Sequence, residues 1–542
     1  MVEPLLRQGV ARGMTEHQGA GPDISAATEM SEDASIEPGV WRYARASRAH
    51  AVVDAADYFA LMRDAMLAAR QRIHMIGWDF DTRILIGDGR RWWNLPRKRI
   101  APARLGAFVV WLANRRKGLE ILVLKWNFGA IKALLRGSMV LDLIRWWRHP
   151  RIGYKLDAAH PLGCSHHQKV VVIDDRFAVC GGIDMAGDRW DTRAHLDGDP
   201  RRRRPGGQPY GPWHDVTMLL EGDAAGQLGA FGRARWHQAG GRPLQPCAPQ
   251  SETAWPNGIV AQFEDVEIGI ARTRSQYGDH DEIREIETLF CRQIASARHF
   301  IYAENQYFAS RRVAEALAER LAQPDPPEVV LVVPEASDGW LEQAAMDLAR
   351  IRLFHAVEAQ DAQARFSIWH PMTQGGTAIY VHAKLLIVDD MILRIGSANM
   401  NNRSMGLDSE CDVFIDAHRP GNGHAQPGIT ALRLSLLAEH CGLSEEAVGP
   451  ALAEAGSMAA LAAASQARGG RSLKRFVPRE LSDAEQALAD SEALDPEHPE
   501  EMLAFYRRGG LWRGSLGRGA LGARLRKGMT RLRHPKRGRH HE

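Results

Sequence analysis

No apolar run in this chain reaches the roughly 20 residues that a helix needs to cross a bilayer. The nearest, Leu105 to Ala113, is short and is followed by Arg115, Arg116 and Lys117. Met1 to Glu37 has no apolar core ahead of a cleavage site, so no Sec-type signal peptide is expected. Cysteine is scarce. The six, at 164, 180, 247, 291, 411 and 441, form no Cys-x-x-Cys pair, which argues against a zinc ribbon or a disulfide framework and for reduced thiols. Cys180 and Cys411 fall in apolar stretches and read as core. The 22 histidines contain no His-Glu-x-x-His, and no acidic cluster has metal-ligand spacing, so neither a metal nor another cofactor is expected.

What is present is a globular composition, 45% hydrophobic and 25% charged, in 542 residues, enough for two or three domains or one duplicated domain. The net charge of +3 is unevenly placed. After Tyr506 twelve Arg or Lys face the single acid Glu542, about +11, which leaves about −8 on the rest. That Gly-rich tail carries Leu511, Trp512, Leu516 and further apolar residues, a composition that suits an anionic membrane surface, a nucleic-acid arm or a solubilising tail.

One short pattern occurs twice. His167, Lys169, Asp174 and Gly181 recur as His382, Lys384, Asp389 and Gly396 at identical spacing, 215 residues apart. With each residue type used about once in twenty, two such patterns in register are not chance. Lys169 precedes Val-Val-Val-Ile and Lys384 precedes Leu-Leu-Ile-Val, apolar runs closed by Asp174-Asp175 and Asp389-Asp390, which read as strand, turn, strand. Side chains alternate along a strand, so His167 and Lys169 share a face, as do His382 and Lys384. A neutral imidazole can attack an electrophile or carry a proton, and a lysine beside it supplies fixed positive charge for an oxyanion.

The surroundings repeat as well. Ala55 to Arg72 reads as an amphipathic helix, followed by strands at Arg72 to Asp81 and Leu119 to Lys125 and a Trp-rich helical segment with Trp126, Trp146 and Trp147. The second round has a helix at Ile283 to Arg298, strands at Phe300 to Phe308 and Glu328 to Glu335, and a helix at Leu341 to Phe354. The predicted fold is therefore α/β: two homologous α/β/α halves, 39–250 and 251–445, packed about a pseudo-twofold axis with one shared cleft. Residues 1–38 are expected to be flexible, 446–505 a helical and polar linker region, and 506–542 the basic tail. Between the halves, Ala194 to Pro212 reads as a loop, and its Arg201 to Arg204 as a solvated insertion rather than a contact for lipid headgroups.

The duplicated pattern resembles the phospholipase D superfamily, the so-called HKD enzymes. Glu304-Asn305-Gln306-Tyr307-Phe308, Trp190-Asp191-Thr192, Trp213-His214-Asp215-Val216, Asn402-Arg403-Ser404 and Asp408-Ser409-Glu410 are similar to stretches of the eukaryotic-type phospholipase D subgroup. The resemblance covers about residues 40 to 440 and includes no C2, PX or PH module. The Arg- and Ala-rich composition suggests a bacterial chain. The first pattern ends Gly-Gly-Ile-Asp where the second ends Gly-Ser-Ala-Asn, so Asp184 stands opposite Asn399, an asymmetry that the subgroup shares.

The resemblance implies a phosphodiesterase. Lys169 and Lys384 would neutralise the phosphate, with Ser397 and Asn399, and on the other side Gly182 and Asp184, completing its pocket. The residues alone leave open which imidazole attacks phosphorus. The resemblance assigns His167 as nucleophile and His382 as general acid and base. Aligning the halves puts Asp215 and Glu410 at equivalent positions, with Asp215 expected to orient His167 and Glu410 to orient His382. Asp174 and Asp389 belong to the repeated catalytic pattern, but at the strand turns their expected role is structural.

The leading expectation is a phospholipase D acting at a phospholipid membrane surface with water or an alcohol as acceptor. A transphosphatidylase or cardiolipin synthase is the alternative, and a nuclease is the alternative of another class. Nucleic acid is disfavoured as a partner, and a monomer is expected. Peripheral membrane contact in the cytoplasm is the expected location, with secretion by a signal-less route as the other option.

Overall fold

The computed structural model describes residues 37–87, 100–127, 137–250, 254–336 and 340–482. The basic tail and the first 36 residues lie outside the described residues. The first half supplies β1 (Arg42–Val53), β2 (Arg72–Gly77), β3 (Glu120–Trp126), β4 (Ile152–Asp157), β5 (Val170–Ile173), β6 (Phe177–Gly181), β7 (Trp213–His214) and β8 (Val216–Gly222). The second supplies β9 (Phe263–Arg274), β10 (Ile283–Arg284), β11 (Phe300–Asn305), β12 (Glu328–Val332), β13 (Phe366–Met372), β14 (Tyr380–Val381), β15 (Lys384–Val388), β16 (Ile392–Gly396), β17 (Glu410–Asp416) and β18 (Ser472–Arg475).

One mixed sheet runs through both halves, hinged on the antiparallel pair β1 and β9. Outward from β1 the order is β8-β6-β5-β2-β3-β4, and outward from β9 it is β17-β16-β15-β11-β12-β13. The same topology is therefore written twice about a pseudo-twofold axis, as the repeat requires. The strands are continuous apolar runs because helices cover both faces. Val170 and Val172 face a core shared by both halves, with Leu228 and Phe231 of the helix Asp223–Gln238 and Leu432 and Leu436 of the helix Gln426–Cys441. Val171 and Ile173 face the other way, onto Met62, Phe108 and Trp146, and Leu386 and Val388 do the same onto Phe290, Val313 and Phe354.

Three expectations change. Residues 446–475 are not a linker: Val448, Leu461 and Leu473 are buried in the shared core, and β18 extends the sheet beside β13. The small alanines that make this stretch look bland let its two helices lie close to the sheet. Trp126 ends β3, whereas Trp146 and Trp147 are helical, in Met139–Arg148. The loop 194–212 is not a solvated insertion throughout, because Arg202 turns inward, only 2% exposed, and donates to Asp191 and to the Leu196 carbonyl.

The two acidic turns explain why Asp174 and Asp389 recur. Asp174 and Asp175 have φ of 55° and 53°, and Asp389 and Asp390 have 54° and 55°, with Arg176 N–H donating to Ile173 O and Met391 N–H to Val388 O. These are type I′ hairpin turns, which need left-handed backbone at both central residues and so favour Asp over most side chains. The Asp174 carboxylate accepts from the N–H groups of Arg70, Gln71 and Arg72, each at 2.7 Å. Asp389 does the same for Arg298, His299 and Phe300 at 2.6, 2.8 and 2.7 Å. Each aspartate thus ties the hairpin to the start of the neighbouring strand, β2 or β11. Asp174→Ala or Asp389→Ala leaves three N–H groups without their acceptor and is expected to cost about 1–3 kcal/mol in denaturant titrations. The folded fraction should keep a normal kcat/KM, since both turns lie at the far ends of the strands from the histidines.

Candidate active site

Two short backbone pairings cross between the halves and set the site. β7 pairs in parallel with β14, and His382 N–H donates to His214 O at 2.7 Å. On the other side His166 bridges Ser409 in parallel, and His167 N–H donates to Ser409 O at 2.9 Å. The segment carrying each histidine therefore lies beside the segment of the other half that carries a carboxylate. His167 Nδ1 sits 3.0 Å from Glu410 Oε1, and His382 Nδ1 sits 2.7 Å from Asp215 Oδ2. This corrects the expected pairing. Asp215 orients His382 and Glu410 orients His167, because the acceptors are exchanged across the pseudo-twofold rather than supplied within each half.

The carboxylates are held differently. Glu410 accepts from Ser397 Oγ at 2.5 Å and from Ser404 Oγ at 2.7 Å, so the Ser397 hydroxyl is used on Glu410 and does not serve a phosphate. Gly182, at the position equivalent to Ser397, has no room for a side chain: a Cβ there would stand 2.0 Å from Asp215 Oδ1. Ser397 and Gly182 are thus corrected from phosphate contacts to supports of the carboxylates. Burial raises Asp215 to about 7 and Glu410 to about 8. Burial, together with the positive charge of Lys384, Lys169 and Arg189, holds His382 well below its ordinary value, and burial with Lys169 and Lys384 does the same to His167. With Nδ1 engaged, Nε2 is the nitrogen each ring leaves for chemistry.

Both rings line one cleft of about 440 Å³ between the halves, with Asp184, Arg189, Trp213 and Asn399. Lys169 Nζ lies 3.2 Å from Asp184 Oδ2 and donates to His167 O at 2.9 Å. Lys384 Nζ donates to His382 O and to the neutral Gln306 Oε1 at 3.1 Å. With Asn399 in place of a second Asp, Lys384 has no carboxylate in ion-pair contact among the described residues, and burial lowers it to about 7. Asn399 is buried at the cleft wall with its side-chain oxygen unpartnered. Arg189 adds a third cation, 4.3 Å over the Trp213 ring. In the cleft lining Arg403 is paired with Asp408 at 2.8 Å, and Lys169 is paired with Asp184, so Arg189 and Lys384 are the cations there without an ion pair among the described residues, an arrangement open to an anion.

Aromatic rings flank it. Trp78 stacks on Trp126 at 5.9 Å near His167, and Trp213 stacks on Tyr380 at 4.6 Å near His382. Arg189 and the Gln306 contact to Lys384 were missed by sequence reasoning. Gln306 lies inside the noted Glu-Asn-Gln-Tyr-Phe stretch, but nothing in the spacing couples it to a lysine 78 residues later. Asp174 and Asp389, in the turns described above, are outside the cleft.

Behind the Trp213–Asp215 segment lies a buried polar network. Glu304 accepts from His214 at 2.8 Å, from His440 at 3.0 Å and from Tyr302 at 2.6 Å, while His195 contacts Asp191 at 2.9 Å and Glu439 at 3.0 Å. Asp54, His195, His214 and Glu439 place potential metal-ligand atoms within 4.8 Å of one another. Glu439 already faces Arg193 and Arg471, and both carboxylates of the set face the imidazoles of His195 and His214, so the set is compensated by protein charge.

A family model described as phospholipase D matches residues 355–490, the stretch with His382, Lys384, Asn399 and Glu410. Phospholipase D alpha 1 of Nicotiana tabacum is 25% identical over 520 residues, covering 71% of this chain and 63% of that protein. Phospholipase D alpha 2 of Oryza sativa subsp. japonica is also 25% identical over 520 residues, covering 70% and 63%. The chain thus spans 63% of the length of these curated relatives. Among solved structures, phosphatidylserine synthase of Haemophilus influenzae Rd KW20 aligns with a TM-score of 0.47 at 14% identity, over 85% of this chain and 93% of that one.

The crossed pairing has a direct spectroscopic test. In the ¹H–¹⁵N spectrum of the histidine rings, Glu410→Gln is expected to move the His167 Nδ1–H resonance and leave that of His382, and Asp215→Asn to do the reverse. Assignment follows from His167→Ala and His382→Ala. Both carboxamide variants should lose about 10²- to 10⁴-fold in kcat, as expected when an imidazole loses its orienting carboxylate.

Proposed function

We propose that this chain, which belongs to the phospholipase D superfamily, hydrolyses the headgroup phosphodiester of a glycerophospholipid to phosphatidic acid through a phosphohistidine. The observation that carries the reading is the pair of imidazoles, each backed by a carboxylate from the opposite half, opening on one cationic cleft. A phosphodiester is anionic and a poor electrophile, so its charge has to be met before attack. Lys384, with no carboxylate in contact, receives the phosphate oxygens, Lys169 supports them, and the Asn399 amide donates to them. His167 Nε2 forms the bond to phosphorus as the P–O bond to the headgroup breaks, and His382 Nε2 hands its proton to the departing alcohol oxygen. His382 then takes a proton from water as the water oxygen attacks phosphorus, which breaks the P–N bond and restores His167. An alcohol in place of water gives transfer instead of hydrolysis.

A lipid surface is favoured over nucleic acid by the helix Met139–Arg148. Leu141, Ile144 and Trp147, spaced at i, i+3 and i+6 on one face, are 58%, 41% and 76% exposed, and Arg145 and Arg148 lie among them. An outward apolar stripe edged by cations fits the headgroup boundary of an anionic bilayer, where Trp and Leu enter the acyl region and Arg meets phosphate. Buried in the protein, Trp146 holds the same helix against Tyr154 of β4.

The mechanism sets the pH profile. The His167–Glu410 pair must be without its extra proton to attack, and the His382–Asp215 pair must carry one to act as acid. With Glu410 raised to about 8 and Asp215 to about 7, the pairs titrate close together. Falling pH protonates the attacking pair and rising pH strips the acid pair, so kcat/KM should be bell-shaped with both limbs near pH 7–8. Asp215→Asn should displace the alkaline limb.

Phosphatidylcholine vesicles and labelled DNA, incubated with the protein in the presence of ethanol, test the substrate class. Phosphatidic acid and phosphatidylethanol, absent with His167→Ala or His382→Ala, are expected. Cleaved DNA with intact lipid would establish the nuclease alternative instead.

A further inference from the structure

We propose a second anion-binding pocket, separate from the catalytic cleft, that takes a phosphate ester carrying at least two negative charges. A cavity of about 590 Å³ lies on the other side of the segment 184–190 from the cleft. Asp184 and Arg189 line the cleft, whereas Ala186, Gly187, Asp188 and Trp190 line this cavity, so one short segment is the wall of both.

Five arginines converge on the cavity: Arg83 and Arg104 from the connection after β2, and Arg201, Arg203 and Arg204 from the loop 194–212. Three of the five are matched, Arg83 by Asp81 at 2.7 Å, Arg201 by Asp199 at 2.6 Å and Arg204 by Asp188 at 3.0 Å. Arg203 donates to the carbonyls of Pro200 and Gly207, at 3.1 and 3.0 Å, and to no carboxylate among the described residues. Arg104 has no carboxylate within ion-pair distance among the described residues. Arg104 acts at longer range on Asp142, which already pairs with Arg145, so two guanidiniums without an ion-pair contact of their own face one concavity.

The loop 194–212 is built to present Arg203. Arg202 anchors it inward through Asp191, Tyr210 pins its far end by donating to Trp190 O at 2.7 Å, and the Arg204 N–H, bonded to Gln208 O at 2.7 Å, closes the turn between. The residues on either side of Arg202 then face the cavity, and Arg201 lies 4.9 Å over the Trp190 ring. Planar, always-charged guanidiniums with several donors each match phosphate oxygens, and the volume suits a headgroup-sized ligand. A lipid phosphomonoester and a free phosphate ester present the same dianion. The pocket stands whether or not the cleft acts on lipids.

Calorimetric titration of the full chain with inorganic pyrophosphate tests it. The wild type is expected to bind two equivalents, one in the cleft and one here. Arg104→Ala/Arg203→Ala should weaken one of them at least tenfold, whereas Lys384→Ala should weaken the other. Arg203 is exposed, so Arg203→Glu alone should keep the fold and show the same loss if the double variant is unstable. A single equivalent that Lys384→Ala weakens and Arg203→Glu leaves unchanged, or two unchanged equivalents in Arg203→Glu and the double variant, would overturn the proposal, whereas a single equivalent lost in Arg203→Glu would uphold the pocket and count against the cleft alone. Flotation with phosphatidylcholine vesicles containing 10% phosphatidic acid identifies the source. Weaker flotation of the arginine variants assigns a lipid headgroup, and unchanged flotation alongside lost pyrophosphate binding assigns a free phosphate ester.

Discussion

Two backbone hydrogen bonds across the seam, His382 N–H to His214 O and His167 N–H to Ser409 O, decide what the rest of the molecule can do. Each lays the histidine of one half beside the carboxylate of the other, so neither half alone holds an imidazole with its acceptor. The long antiparallel pair β1 and β9 fixes the halves in this register from the opposite end of the structure, and the core that contains Val170, Leu385 and Ile429 runs through both. A shift of one residue at either bridge would turn the carboxylate to the wrong face, because side chains alternate along extended chain. The site is therefore a property of the interface.

The halves share a topology but have diverged in chemistry, and the differences compensate one another. Glu410 is one methylene longer than Asp215, and the two hydroxyls of Ser397 and Ser404 hold it; Asp215 is shorter, and Gly182 leaves its carboxylate the space a side chain would fill. Exchanging only one member of either set would leave a buried carboxylate without donors or force an overlap with it. The same logic separates the lysines. Asp184 meets the charge of Lys169, while Gln306 offers Lys384 only a dipole. A buried ammonium without a counter-ion is costly, and an arriving phosphate relieves that cost, so the second half is the side on which an anionic substrate gains most.

Much of this was legible in the chain. The recurring Asp pairs announced hairpins because left-handed turns restrict which residues can stand there, and the β-branched runs announced strands covered on both faces. His167, His382 and both lysines followed from alternation along those strands. The exchange of Asp215 and Glu410 did not, since aligning the halves shows which residues are equivalent but not which cross the axis. That depends on the parallel contacts of β7 with β14 and of His166 with Ser409, two residues or fewer in length and without a pattern of their own. The stretch 446–475 misled for another reason: alanines and polar residues dominate it, and its burial rests on a few side chains, such as Val448 and Leu473, spread among them. Arg201 to Arg204 read as one charged run, yet the backbone turn sends Arg202 to a buried aspartate and its neighbours elsewhere.

The buried network behind β7 bears on why a site so rich in charge is stable at all. Glu304 and Glu439 are held below the ordinary carboxylate range by His214, His195 and their neighbours despite burial, which places fixed negative charge close behind the Trp213–Asp215 segment. His214, raised well above its usual value by Glu304 and Asp54, answers that charge next to Asp215 in sequence. The segment that delivers the orienting carboxylate to His382 is thus anchored by ion pairs on its inner face and by the stack of Trp213 on Tyr380 on its outer face. An imidazole that must both give and accept a proton needs an acceptor whose position does not drift as charge moves. Anchoring on two faces supplies that rigidity where a two-residue strand could not.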